Sequence, residues 1–225
     1  PVAVDAPGAR SVLASCEAAR RKGLSVVSGL MLRYSSTMRE TISRIHDGQI
    51  GRIVTLQCNY NIGGLWLHPR QKEWSDMEWQ LRNWYYFTWL SGDHIVEQHV
   101  HGLDLMVWAM RDQYPVKCFG LGGRQARTGP EFGHIFDHHA VCYEFENGVR
   151  CFSFCRQQPG TDQDTSQLVF GEKGSADLTK RTMSGQQVWR YSQARGGDQD
   201  LPYQREHEAL FASIRSGQAI NNGDY

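Results

Sequence analysis

A chain of 225 residues is long enough to bury a proper core, as one large or two small domains. Its 24 Lys plus Arg balance 24 Asp plus Glu with no basic block, which argues against a nucleic-acid surface. No apolar run approaches the roughly 18 residues needed to span a bilayer and no signal peptide is visible, so neither a membrane nor a nucleic acid is expected as a partner.

Asp5-Ala6-Pro7 reads as a helix start with proline in the first turn, followed by Val12, Leu13, Cys16 and Ala19 as a buried face and Gly23 as the stop. Residues 24–32 read as a fully buried strand. A second helix is expected to open at Ser35 or Ser36, to turn Met38, Thr41, Ile42 and Ile45 inward and to end at Gly48. A strand over 53–60 leads to the loop Gly63–Pro69, whose aromatic tip is either a packed lid or a substrate contact. After a long helix over 94–110, strands are expected near 116–122 and 135–145, and Asn147-Gly148 is a two-residue hairpin signal returning as 149–156. Residues 166–170 and 175–179 pair across Gly171–Gly174, and a strand over 186–191 follows. The last helix, 203–216, is expected to turn Leu210, Phe211 and Ile214 inward before Gly217.

The order predicts an α/β chain: residues 1–34 as the tail of an alternating α/β domain, then an α+β part over 35–225. That part is an open, mostly antiparallel sheet covered on one face by helices. The cysteines at 16, 58, 118, 142, 151 and 155 form no metal spacing, and Cys151 and Cys155 are too far apart along a strand to bridge each other. All six are expected as reduced core residues.

The run from Trp84 to Trp108 carries the chemistry. Val96, Val100, Leu103, Val107 and Met110 recur at spacings of four and three, the pattern of a buried helix face. His94, Glu97, His101, Asp104 and Trp108 form a second line at the same spacing, so an imidazole and a carboxylate face one space. His101 is the general acid/base candidate, because imidazole has the side-chain pKa nearest neutrality. The bland alternative is a solvated i,i+4 pair. Against it, Trp84, Tyr85, Tyr86, Phe87, Trp89 and Trp108 flank the stripe where a solvated face would be Lys/Glu-rich, a composition suited to sugar rings or a cofactor face.

His99 points off the stripe and packs elsewhere unless the helix starts late. A metal centre on His94, Glu97 and His101 is the other chemical reading. No His-Glu-x-x-His or paired Cys-x-x-Cys is present, and His138 and His139 fall on opposite faces of a strand, so no metal is expected. Arg82, Asn83, Trp84, His94 and Trp66 are candidate substrate contacts, with a surface Arg beside a core-packed Trp as the alternative for the Arg82–Trp84 run.

Pro1-Val-Ala-Val4, Gly29-Leu-Met-Leu-Arg-Tyr34, Asp47-Gly-Gln-Ile-Gly-Arg-Ile53, Glu97-x-x-x-His101-x-x-Asp104 and Phe170-Gly-Glu-Lys-Gly-Ser175, in that order, resemble the Gfo/Idh/MocA oxidoreductases. The resemblance covers nearly the whole chain, and the ordered set is more specific than any one member. It implies a Rossmann domain, of which residues 1–34 are the tail, joined to a C-terminal α/β domain. It also implies NAD or NADP as cofactor, a sugar, polyol or related carbohydrate as substrate, and a homodimer or homotetramer packed sheet against sheet.

Residue by residue, the resemblance implies that His101 is the catalytic histidine and that Glu97 stands where many members have Asp. Pro1 is then the remnant of a Glu-Lys-Pro motif whose lysine works near the nicotinamide, and Arg33 and Tyr34 border the nicotinamide side of the cleft. Glu97 adds a methylene to the usual Asp, and His99 and His94 stand where small residues are common, so a reshaped pocket is expected. The Rossmann glycine fingerprint is not in this sequence: neither Gly63-Gly64, Gly120-x-Gly122-Gly123 nor Gly196-Gly197 sits at a strand-to-helix turn with the required spacing. Pro1 in place of Met and a tail without a terminal element are expected of a piece of a longer protein, which leaves the compartment unread.

The function so implied is the substrate-binding portion of an NAD(P)-dependent oxidoreductase. His101 takes the hydroxyl proton as hydride leaves the same carbon, and Glu97 orients that histidine or holds a neighbouring hydroxyl. One rival is redox-assisted glycoside cleavage, in which transient oxidation acidifies a neighbouring C–H and elimination opens the glycosidic bond without net use of cofactor. The other is a non-catalytic sugar-binding or assembly subunit.

Overall fold

Helix α1 (Ala6–Arg21) begins where Asp5 takes extended backbone and its carboxylate accepts the Gly8 N–H at 2.7 Å, with Pro7 in the first turn. The computed structural model describes residues 2–192 and 200–222; Pro1, Gly196-Gly197 and the last three residues lie outside them. The inward face of α1 is narrower than its periodicity suggests, since Cys16 alone is buried and Leu13 is exposed.

The strand expected over 24–32 does not form. Val26 makes one parallel bridge to Asn221, donating to the Ile220 carbonyl at 2.7 Å and accepting from the Asn222 N–H at 2.9 Å. The chain then coils into a 3-10 turn at Met31–Tyr34. An apolar run becomes a strand only when neighbours take up its edges, and a single bridge is all that the described residues offer here. Helix α2 (Ser36–His46) follows as expected, with Ser35 Oγ accepting the Met38 N–H at 3.1 Å and Met38, Thr41, Ile42 and Ile45 buried.

The strands are β1 (Ile53–Ile62), β2 (Lys117–Gly123), β3 (His138–Glu144), β4 (Arg150–Gln157), β5 (Gln167–Gly171), β6 (Gly174–Asp177), β7 (Thr182–Gly185) and β8 (Trp189–Arg190). They form one sheet of order β2-β3-β4-β1-β5-β6-β7-β8, in which only the β1–β4 pair is parallel. Alternation along β4 separates the two faces: Cys151, Ser153, Cys155 and Gln157 are buried, whereas Phe152 and Phe154 are exposed. The strand expected over 186–191 is instead the β7–β8 hairpin, broken at Gly185, whose φ of +119° suits glycine. Five of the six cysteines are buried as expected, but Cys118 is exposed on the edge strand β2.

Two short helices, α3 (Asp76–Arg82) and α4 (Thr88–Ser91), precede the site and are too short to show an apolar period. The long helix expected over 94–110 is broken into α5 (His94–Glu97) and α6 (Val100–Ala109). At the break the His99 N–H reaches five residues back to the His94 carbonyl at 3.1 Å. The next turn then tightens, with the His101 N–H on the Gln98 carbonyl at 3.2 Å. Such a widened turn changes which side of the following helix faces inward. Leu105, Met106 and Ala109 therefore enter the core, with Met110 just after the helix, while Val96 is exposed and Val100, Leu103 and Val107 are only part-buried.

These α6 residues pack with Met38, Ile42 and Ile45 of α2 onto Leu56 and Cys58 of β1 and Val169 of β5. Each such aliphatic side chain contributes about 1.5–3 kcal/mol on burial. A second cluster joins Tyr85, Tyr86, Phe87 and Ile135. Helix α7 (Pro202–Ser216) forms where expected but turned over: Glu206 and Ser213 are buried, and Phe211 and Ile214 are exposed. It docks through a polar edge, with Ser213 Oγ 2.7 Å from Ser25 Oγ. Among the described residues no helix is long and apolar enough to cross a membrane.

Candidate active site

Glu97 ends α5 and His101 lies in the first turn of α6, so the helix break places them on the wall shared by two clefts. The first, of about 490 Å³, is lined also by Leu32, Tyr60, Gln98, Gln167 and Arg181. The second, of about 880 Å³, is lined by these two residues and by apolar side chains that include Val12, Val26, Leu30, Val96 and Val100.

Among the described residues, Glu97 Oε2 and His101 Nδ1 are both buried without a hydrogen-bond partner. A buried polar atom left unpaired costs about 1–3 kcal/mol, so each marks a place where a bound group would restore the missing partner. No hydrogen bond joins Glu97 to His101 among the described residues. Burial raises the Glu97 carboxyl above its usual range. Burial lowers the His101 imidazole below its ordinary value, opposed by the nearby Asp104 carboxylate. His101 is therefore neutral at neutral pH, the form that accepts a proton. Burial and the Glu97 charge raise the Tyr60 hydroxyl, which stays a donor.

The polar rim of the first cleft is held in place from beneath. Gln157 Nε2 donates to Gln98 Oε1 at 2.8 Å and to the Tyr85 hydroxyl at 2.6 Å. Thr179 Oγ1 donates to Gln167 Oε1 at 2.6 Å, and Arg181 donates to Thr37 Oγ1 at 2.8 Å and to the Thr179 carbonyl at 2.7 Å. Sequence reasoning missed Tyr60, Gln98, Gln167 and Arg181. Only Gln98, next to Glu97, carried a local signal; the others come from separate strands and loops.

The remaining expected site residues that the structure describes line neither cleft. Arg33 is buried in ion pairs with Asp104 at 2.7 Å and Asp112 at 2.8 Å, and lies over the Trp108 ring at 5.4 Å. Tyr34 is buried, its hydroxyl accepting from Asn222 Nδ2 at 3.0 Å. Arg82 is exposed, donates to Glu78 at 2.9 Å and stacks on Trp74 at 4.7 Å. Asn83 is buried and latches the loop, accepting the His68 N–H at 2.9 Å and donating to the His68 carbonyl at 3.0 Å. Trp84 and Trp66 pack together at 6.2 Å between ring centroids. Helix α4 ends at Gly92 in the left-handed conformation, and the aromatic group touches the α5–α6 break through the Tyr85 hydroxyl, 3.3 Å from Gln98 Oε1. Pro1 is outside the described residues.

His99 is fully buried and shares a 2.7 Å hydrogen bond with Ser153 Oγ. His94 is fully buried too, and joins Asp93 and His139, not Glu97 and His101, in a compact group of potential metal ligands.

Residues 38–177, more than half of the chain, match the family model of the GFO/IDH/MocA C-terminal domain. Over 132 residues the chain is 26% identical to the 2,7-anhydro-N-acetylneuraminate hydratase of Escherichia coli (strain K12), covering 59% of this chain and 32% of that protein. The fold is similar to that of the aldose-aldose oxidoreductase from Caulobacter crescentus, with a TM-score of 0.72, 17% identity, and coverage of 96% of this chain and 62% of that one. It is similar also to myo-inositol 2-dehydrogenase from Lactobacillus plantarum, with a TM-score of 0.69, 19% identity, and coverage of 100% of this chain and 64% of that one. The chain thus spans about a third of the hydratase and under two thirds of either solved chain. The order of motifs, the open sheet and the matched domain agree, and this chain belongs to the GFO/IDH/MocA family of NAD(P)-dependent oxidoreductases.

Proposed function

We propose that this chain forms the substrate-binding wall, and supplies the acid–base group, of an NAD(P)-dependent oxidoreductase acting on a hydroxyl of a sugar, polyol or glycoside. The observation that carries the reading is the pair Glu97 and His101, each with a buried unpartnered atom, standing between a polar-rimmed cleft and an apolar one. Tyr60, Gln98, Gln167 and Arg181 suit a polyhydroxylated substrate in the first cleft. The apolar wall of the second suits the flat nicotinamide end of NAD or NADP, which when bound accepts or returns a hydride. These residues hold no more than that end, because this sequence has no glycine-rich turn to cradle a pyrophosphate.

In the oxidative direction neutral His101 receives the proton of the reacting hydroxyl at a ring nitrogen. Glu97, its carboxyl raised by burial, accepts a hydrogen bond from a neighbouring hydroxyl at Oε2, and the Tyr60 phenol donates one. A substrate seated this way restores the partners that the buried atoms lack. The exposed sheet face, with Phe119, Leu121, Phe152 and Phe154, is the surface through which a second copy would pack to give a homodimer or homotetramer.

A second reading, transient oxidation followed by elimination or addition beside the new carbonyl with the cofactor restored, is favoured by the likeness to a protein named as the hydratase of an anhydro sugar. Net consumption of cofactor separates the two. In the intact protein, His101→Ala should lower kcat at least about 100-fold with NAD(H) affinity nearly unchanged, the size of a general acid/base contribution. Turnover near that of the parent would remove His101 from the mechanism.

A further inference from the structure

At the corner between α4 and α5, Gly92 (φ +71°) and Asp93 (φ +75°) both have positive φ and turn the chain so that Asp93 and His94 face β3. The Asp93 carboxylate accepts the His94 N–H at Oδ1 (2.6 Å) and the Phe136 N–H at Oδ2 (2.9 Å). Oδ1 also lies 3.3 Å from His139 Nε2 and 3.8 Å from His94 Nε2, and the two imidazole rings are 4.8 Å apart between centroids. We propose that Asp93, His94 and His139 form a binding site for one divalent metal ion of the zinc class, apart from the Glu97–His101 clefts.

Two independent observations point there. The three side chains offer ligand atoms that all lie within 4.8 Å of one another, and no other such group of three occurs among the described residues. With metal–ligand bonds of about 2.0–2.2 Å, tetrahedral ligands stand roughly 3.3–3.6 Å apart. The 3.3 and 3.8 Å separations are already near that spacing, and a ring rotation closes the third edge. The second observation is His94 itself, which has no exposed surface and, among the described residues, no hydrogen-bond partner at Nδ1 or Nε2. A neutral imidazole has one N–H to give and one lone pair to share, so a fully buried ring with neither engaged lacks a ligand that the surrounding protein does not provide.

The protonation states agree with this reading. Burial pushes His94 down to about 3, so it is a neutral imidazole at neutral pH. Burial opposes ionisation of Asp93, but the His139 and Phe136 hydrogen bonds hold its carboxyl below the ordinary range. Two imidazoles and one carboxylate suit zinc and its transition-metal neighbours better than calcium or magnesium, which favour all-oxygen sets. The Asp93 and His139 side chains are 11% and 15% exposed, which leaves a way in for the ion and a water as fourth ligand. Arg127, whose charge His94 also feels, lies over the Tyr85 and Tyr86 rings at 5.9 and 5.2 Å and offers no ligand atom. A bound ion would tie the start of α5, one turn before Glu97, to β3, and it stands whether or not His101 is the acid–base group.

The intact protein, stripped with EDTA and desalted, is titrated with zinc chloride by calorimetry, with metal content measured after gel filtration. One zinc per chain is expected, with a melting midpoint that rises with zinc concentration. His139→Phe keeps a ring against Phe136 and removes a ligand; it should weaken binding at least about 100-fold, since even supporting contacts are worth 10–100-fold. Glu97→Gln and Cys118→Ser should bind zinc as the parent does. If His139→Phe does not fold, cobalt in the parent protein decides: tetrahedral d–d bands without a thiolate charge-transfer band support the site. The proposal is overturned if the parent binds no zinc, if His139→Phe binds it equally well, if binding follows Glu97 or Cys118, or if cobalt shows thiolate ligation.

Discussion

Alanine at position 102 sets helix propensity against space. Within α6 alanine is favoured over glycine by about 0.5–1 kcal/mol. A Cβ at Gly102, however, would lie 2.6 Å from Cys58 Sγ and 3.5 Å from Gln167 Nε2. Cys58 is fully buried on β1, so its sulfur has little room to retreat. Overpacking of this kind costs about 1–3 kcal/mol, which leaves Gly102→Ala destabilised by on the order of 1 kcal/mol. For a chain of this size that lowers the melting midpoint by about 2–4 °C. His101 is the preceding residue, so a displaced α6 should also reduce kcat. The assay is a double-mutant cycle with Cys58→Ala, followed by circular dichroism: removing the sulfur should recover about 1 kcal/mol of the Gly102→Ala cost. A Gly102→Ala protein that melts at or above the parent temperature, or whose cost is the same in both backgrounds, would refute the close α6–β1 approach.

Arg33→Met should destabilise by about 3–5 kcal/mol in urea titration, because it leaves the buried Asp104 carboxylate unpaired. A loss of nicotinamide affinity at unchanged stability would instead make Arg33 a cofactor contact. Because burial lowers His101, the acid limb of kcat/KM for oxidation should turn below 6.5, with activity falling as pH drops through that inflection and the ring becomes protonated. An inflection at or above 6.5 assigned to this residue contradicts the buried geometry. Leu121→Asp, at an 82% exposed site on β2, should reduce the sedimentation mass to that of a single chain; an unchanged mass excludes that face from assembly.

Much of the fold was legible because its signals act within a few residues. Asp5 and Ser35 cap their helices, Gly48 and Gly217 end theirs with positive φ, and Gly148 turns the β3–β4 hairpin at φ +81°. The period-two pattern of β4 set its faces for the same reason: one peptide unit decides where the next side chain points. Glu97 and His101 were visible as a close pair in the sequence, although the helix expected to carry both is broken between them; the resemblance that carried the family was legible too.

Which face of an element finds a partner was settled only in three dimensions. Residues 24–32 had the apolar run of a strand but gained one bridge, and α7 turned Ser213 inward, where it meets Ser25. The His94–His99 turn rotated α6 away from the stripe drawn for a continuous helix, moving Leu105 and Met106 into the core. Trp84 and Trp66 pack with each other in the aromatic cluster, Arg82 is exposed beside Trp74 and Asn83 holds the His68 loop, while Tyr60, Gln167 and Arg181 reach the cleft from distant strands and loops. Asp93 and His139 meet across 46 positions. By itself the sequence determined where the chain turns, caps and alternates, since those are short-range properties of backbone and side chain. The clefts and the histidine cluster depend on the order in which strands join the sheet, a choice made by the energy of the whole packed core.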